Sequence, residues 1–137
     1  LDETVFAAMT RRQLLAVSRE IEDRAYRVGT GTLRVSFQTF STFESQLDVY
    51  RSLADDTELD IHVYAVPDWT PPPIAGITYH EVENGTVEQY WALAFDGGLE
   101  ETHPCGLLAR ERSDGYCGFW TDDPALVAEL SDELASA

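Results

Sequence analysis

Apolar positions along the chain fall into alternating blocks of helical and strand period. Thr10-Arg11-Arg12-Gln13 has the form of a capping box, in which the Thr and Gln side chains each satisfy a free N–H at a helix start. Leu14, Val17, Ile21, Ala25 and Val28 follow at three- and four-residue spacing, so the block predicts a helix that Gly29 and Gly31 end. Leu33, Val35 and Phe37 alternate with polar residues, as in a strand. Ser41-Thr42-Phe43-Glu44 is a second capping box, opening a helix whose apolar stripe is Phe43, Leu47, Tyr50 and Ala54. Leu59, Ile61, Val63 and Ala65 predict another strand, stopped by Pro67 and the run Pro71-Pro72-Pro73.

The second half is richer in strands. Runs from Ile77 to Val82 and Val87 to Phe95 flank Asn84-Gly85, and runs from Gly106 to Arg112 and Tyr116 to Trp120 flank Asp114-Gly115; both dipeptides signal hairpins. Asp122-Asp123-Pro124 supplies an N-cap and a first-turn proline for a closing helix with Leu126, Val127, Leu130 and Leu134 on one face. The predicted order is α-β-α-β-β-β-β-β-α, an α/β (α+β) fold with a mixed central sheet of about six strands and helices packed on it. The compact strand-helix-strand unit predicts a parallel pair, and the hairpins predict antiparallel ones. Residues 10–137 form one predicted domain, and residues 1–9 read as an extension or linker.

Charge alters the picture most. The 137 residues carry 9 basic and 25 acidic side chains, a formal net charge of −16, and every basic residue is Arg. Such charge opposes compaction through self-repulsion unless salt screens it. At molar salt the Debye length is ~3 Å. An acidic, Lys-free surface is the compositional habit of salt-in halophiles and points to a haloarchaeal cytoplasm. The same charge argues against direct nucleic-acid binding, which needs a basic stripe to neutralise phosphates. No run of residues is long and apolar enough for a membrane span, and the amino-terminal segment lacks the pattern of a signal peptide, so the expected location is cytoplasmic. There Cys105 and Cys117 are expected as free thiols, with no redox switch; placing the turn at Asp114-Gly115 sets Cys117 opposite Arg112 rather than Cys105.

Candidate chemistry is sparse. Without Lys there is no Walker loop, and Gly29-Thr30-Gly31 precedes a strand where a dinucleotide turn follows one. His62, His80 and His103 fall in separate elements without metal-ligand spacing, so no metal site is expected. Glu100, Glu101 and His103 read as an exposed acidic loop rather than an acid/base group. The best placed ligand site is the junction of the first predicted strand with the second helix. There free N–H groups and the hydroxyls of Ser41 and Thr42 face the carboxyl edge of the parallel strands, with Phe40 and Trp69 as walls. The candidate ligand set is Phe40, Ser41, Thr42, Phe43, Trp69 and Trp91.

The chain resembles the DICT domain, a sensory module found beside diguanylate cyclases and two-component proteins. The resemblance rests on Phe40 and Phe43 at the strand-to-helix junction, Tyr50-Arg51-Ser52-Leu53-Ala54, His62-Val63-Tyr64 and Gln89-Tyr90-Trp91-Ala92-Leu93. It continues through Leu107-Leu108-Ala109-Arg110-Glu111, Gly118-Phe119-Trp120-Thr121 and Asp123-Pro124. The resemblance implies a non-catalytic signal-input domain that binds a small molecule or a signalling protein and relays to an output; it names no ligand or cofactor. The alternative is a structural interaction domain without a ligand. Val5, Phe6 and Met9, with no evident core partner, suggest a homodimer through the amino-terminal helical segment from Val5 to Ile21.

The charge yields a direct prediction. Thermal melts across a chloride series should move upward strongly from low to molar salt, whereas a flat series would contradict a halophilic surface.

Overall fold

The computed structural model describes residues 4–83, 89–100 and 103–137. In chain order the elements are β1 (Thr4–Met9), α1 (Arg11–Val28), β2 (Thr32–Thr39), α2 (Phe40–Glu44), α3 (Leu47–Asp56), β3 (Asp60–Val66), β4 (Ile77–Glu81), β5 (Tyr90–Phe95), β6 (Cys105–Arg112), β7 (Gly115–Thr121) and α4 (Pro124–Ala135). The fold is mixed α+β, as expected, with a seven-stranded sheet ordered β1-β7-β6-β5-β2-β3-β4.

The local signals at the ends of α1 and at the start of α4 act as read. The Thr10 side chain accepts from the Gln13 N–H and the Gln13 side chain accepts from the Thr10 N–H, closing the capping box at the start of α1. Gly29 ends the helix at φ 76°, a left-handed conformation that a side chain would strain. Asp123 caps α4, with Pro124 in its first turn. The second helix departs from the reading. Its N-cap is Thr39, not Ser41, and α2 ends after five residues at Ser45 before α3 begins at Leu47.

Pairing corrects three further expectations. β4 does not form a hairpin with β5: it pairs in parallel with β3 at the opposite end of the sheet. The three prolines and Gly76 carry the chain from β3 back to the start of β4 without a helix. Asn84-Gly85 lies outside the described residues. β2 pairs in parallel with β3 and antiparallel with β5, so it forms the boundary between the two halves of the sheet. The β6–β7 hairpin turns at Ser113-Asp114, one residue earlier than predicted, so Cys117 faces Arg110 rather than Arg112. Cys105 pairs instead with Phe95 on β5, and both thiols are free. Burial pushes the Cys105 thiol up to about 11, so it stays protonated at neutral pH.

The segment expected to be an extension before the domain is the edge strand β1, paired antiparallel with β7. Phe6 lies against Trp120, with ring centroids 6.0 Å apart, and Met9 is buried. Their apolar partners come from residues more than a hundred positions away, which local periodicity does not register. Val5 faces the other side and is 77% exposed.

Alternation sorts side chains onto two unequal faces. One carries Leu33, Val35, Phe37, Ile61, Val63, Trp91, Leu93, Phe95 and Leu107, which pack with Leu14, Ile21, Phe43, Tyr50 and Leu53 from α1, α2 and α3. The other is covered by α4 alone, whose Val127, Leu130 and Leu134 rest on Tyr64, Ala92 and Ala94.

If β1 is an integral strand, its two faces should respond differently to truncation. Phe6→Ala should destabilise the domain by ~1–3 kcal/mol, and Val5→Ala should stay within ~0.5 kcal/mol. Equal, negligible effects of both in denaturant melts would contradict the pairing.

Candidate functional site

The predicted junction site is built but filled. Phe40 and Phe43 are buried in the core, each ring edge-on to Tyr79 at centroid distances of 5.8 and 5.9 Å. Thr42 N–H donates to the capping Thr39 hydroxyl at 3.2 Å. Ser41 donates to Asp68 from both its backbone N–H, at 2.9 Å, and its hydroxyl, at 2.5 Å. These bonds hold the Asp68 carboxyl below its ordinary range, the Ser41 hydroxyl being the main cause. At this helix start the protein's own Asp68 carboxylate therefore occupies the hydrogen-bonding groups of Ser41. Trp69 is half-buried against the main core. Trp91 is apart from the junction's polar groups, on β5, fully buried with its indole N–H donating to Ser18 Oγ at 2.9 Å. The structure thus brings Phe40, Ser41, Thr42 and Phe43 together, with their polar groups satisfied from within.

Beneath these side chains runs a buried polar chain. Tyr50 Oη donates to Glu22 Oε2 at 2.5 Å, Arg19 donates to Glu22 Oε1 at 2.5 Å, and Arg19 also reaches Gln46 Oε1 at 2.5 Å. Burial raises the Glu22 carboxyl above its usual range against the pull of Tyr50 and Arg19, and burial raises the Tyr50 phenol well above its own. Each oxygen of Glu22 has a donor, so this network fastens α1 to α3.

Open space lies on the other face, between α4 and the sheet. A cleft of about 460 Å³ has Ser36, Tyr90, Ala92, Leu108 and Phe119 as its floor. The side toward α4 is formed by Leu126, Glu129, Leu130, Glu133, Leu134 and Ala137. The registers Phe119↔Leu108, Leu108↔Ala92 and Ala92↔Ser36 align four of these residues in one row across four strands, with Tyr90 two positions from Ala92 on β5. Ser36, nearly fully buried, donates only a long bond of 3.4 Å to the Tyr90 carbonyl. Glu129 and Glu133 stand exposed at the rim. The cleft offers apolar surface with few polar groups, suited to binding rather than to bond cleavage. Among the described residues no group of three or more His, Cys, Asp or Glu is placed to hold a metal ion.

One signal for the cleft was present in the sequence. In Trp91-Ala92-Leu93-Ala94-Phe95 the large residues face the three helices, and the two alanines face α4. Small residues on one face of a central strand leave room above it. A second feature had no signal: Gln38 takes φ 74°, rare for a residue with a side chain, where the β2–β3 register shifts. Its amide donates to Glu111 Oε1 at 2.8 Å, which holds the strained turn.

The architecture is a mixed sheet with three helices on one face and one on the other, with open space beside the last helix. Residues 2–112 match the family described as DICT, a sensory domain in diguanylate cyclases and two-component systems, and the chain belongs to that family. The match ends before β7 and α4. No curated protein matches the chain. Solved structures that share the fold include two that are distant in sequence. The crystal structure of polyphosphate kinase from Porphyromonas gingivalis is similar at TM-score 0.58 and 14% identity, over 98% of this chain and 23% of that one. TrmBL2, an archaeal chromatin protein with a novel mode of DNA binding, is similar at TM-score 0.59 and 8% identity, over 99% of this chain and 52% of that one. The chain therefore spans about a quarter of the first and half of the second, and at these identities the likeness is one of fold.

Proposed function

We propose that this DICT domain is a non-catalytic signal-input module whose cleft beneath α4 takes a small apolar ligand, with α4 relaying occupancy to a signalling or transcriptional output. The observation that supports this most is the cleft itself. Its volume of about 460 Å³ falls within the ~300–1,000 Å³ common for small-molecule sites, and its lining is chiefly Leu, Phe and Ala. A ligand there touches α4 along one side, so its arrival alters how that helix is seated. The polar groups at hand are Ser36, Tyr90 and the two rim glutamates, which suit a molecule with few polar atoms. The sensory description of the family agrees with this role. A ligand-free interaction domain fits less well, because the apolar surface is concave instead of a flat patch.

The net charge of −16 supports a high-salt cytoplasm and argues against direct contact with nucleic acid. Among the described residues no helix is long and apolar enough to cross a membrane. Association of two copies through residues 5–21 has weaker support than the sequence suggested, since Phe6 and Met9 are engaged within the fold and Val5 is the large apolar side chain left exposed on β1.

A neutral solvatochromic dye, Nile red, probes the cleft directly. Leu126 is half-exposed at its mouth, so Leu126→Trp fills entry space without rebuilding the core. Titration of the folded wild type in molar salt should give one saturable site, and the variant should bind at least ~10-fold more weakly, a loss of ~1.4 kcal/mol. Absence of saturable binding, or equal affinity in a folded variant, would refute the cleft as the site.

A further inference from the structure

The half of the sheet that α4 leaves uncovered carries a second cluster. His62 Nδ1 lies 2.8 Å from His80 Nε2, and His62 Nε2 lies 3.0 Å from Asp60 Oδ2. An ionised carboxylate only accepts, so His62 Nε2 carries its proton, which makes His62 Nδ1 an acceptor and His80 Nε2 the donor to it. This chain of two hydrogen bonds joins the edge strand β4 to β3 through side chains as well as backbone. Beside it, Tyr64 stacks on His80 with ring centroids 4.4 Å apart and planes 9° apart, and Arg34 donates to Tyr64 Oη at 2.6 Å. Sequence spacing gave no hint of the pair, because 18 residues separate the rings and parallel pairing of β3 with β4 brings them together.

We propose that Asp60, His62 and His80 form a proton-responsive clasp, which holds β4 to β3 while the two rings carry no more than one extra proton and loosens when both are charged. The chemistry follows from the number of ring nitrogens. A first proton from solvent enters at His80 Nδ1, leaving His80 Nε2–H still donating to His62. A second can enter only at His62 Nδ1, the acceptor itself, and then two N–H groups and two positive charges confront each other. The charged and titratable groups facing the pair are Arg34 from β2, in register with His62, and Asp60 and Tyr64 from β3; Glu81 of β4 points to the opposite face. Arg34 opposes double protonation, and Asp60, 63% exposed, offsets it only weakly.

Burial first, then the neighbouring His62 and Arg34, hold the His80 imidazole below its ordinary range. The folded protein therefore binds this proton less readily than the unfolded chain. Its contribution to stability is complete above the unfolded value of 6.5 and declines as pH falls below it. The consequence reaches beyond the edge. Tyr64, stacked on His80, belongs to the same buried cluster as Val127, Leu130 and Leu134 of α4, so displacement of His80 reaches the helix that lines the cleft through that cluster. The clasp does not depend on the cleft holding a ligand; the two meet at α4.

Nitrogen-resolved NMR of the imidazoles in the intact chain, from pH ~8 to ~5, tests the clasp, with exposed His103 as an internal comparison. The expected result is one shared protonation of His62 and His80, with the second delayed to lower pH and accompanied by shifts of β4 and α4 amides. In His62→Gln the His80 curve should become single and move upward by about half a unit or more. Two independent single-proton curves in the wild type, or a His80 curve unchanged in His62→Gln, would overturn the proposal. Saturable Nile red binding alongside independent titration would sink the clasp and leave the cleft standing.

Discussion

A seven-stranded sheet has two faces to cover, and this chain devotes its helices to them unequally. At ~4.8 Å between strands the sheet is about 29 Å across, while a helix is ~10–12 Å wide. Three helices cover most of one face, where Leu33, Val35, Phe37, Trp91, Leu93 and Phe95 present a continuous apolar surface, and leave a smaller cleft of about 330 Å³ between α1 and Trp120. A single 12-residue helix cannot cover the other. Its apolar side chains therefore sit over the middle, on Tyr64, Ala92 and Ala94, and leave a strip on each side. On one side the strip is the apolar cleft over Leu108 and Phe119; on the other it is the His62–His80–Tyr64 stack. Both candidate functions of the molecule arise from that shortage of cover.

The two faces also differ in how they are held. The three-helix face is locked by dense aromatic packing, in which Phe37 touches Phe43, Tyr50 and Trp91 at 4.8–6.1 Å between centroids, and by the buried Tyr50–Glu22–Arg19 chain. Opening it would leave a carboxylate unpaired in the core, at a cost of ~1–3 kcal/mol or more. The α4 face depends on Val127, Leu130 and Leu134, a smaller apolar contact. A conformational response is more readily drawn from the less stable element. In the proposed relay, the rigid face is the frame against which α4 responds.

What was legible in the sequence was local. Capping at Thr10 and Asp123, the stop at Gly29 and the alternation in β2, β3 and β5 depend on neighbours within a few residues. What was missed was long-range. β1 looked like a loose extension because Phe6 finds Trp120 only after the whole sheet has assembled, and β4 looked like half of a hairpin because Asn84-Gly85 suggested one. The internal partners of the candidate ligand set were hidden for a related reason. Ser41 and Thr42 do expose hydrogen-bonding groups at a helix start, but Asp68 arrives from the loop after β3 to take up those of Ser41. Ser36, Ala92 and Leu108 were not read as cleft residues, since emptiness above a strand depends on how far a helix from another part of the chain extends.

The central claim is that α4 and the sheet enclose a ligand. Native mass spectrometry of the protein isolated from its own host at high salt and exchanged gently into volatile buffer tests it most directly. The account predicts a population heavier than the chain by one small molecule, released on unfolding and diminished when the cleft is obstructed. Native protein at the bare chain mass alone, in a preparation shown to be folded, together with no uptake from the host's own small-molecule extract, would contradict it.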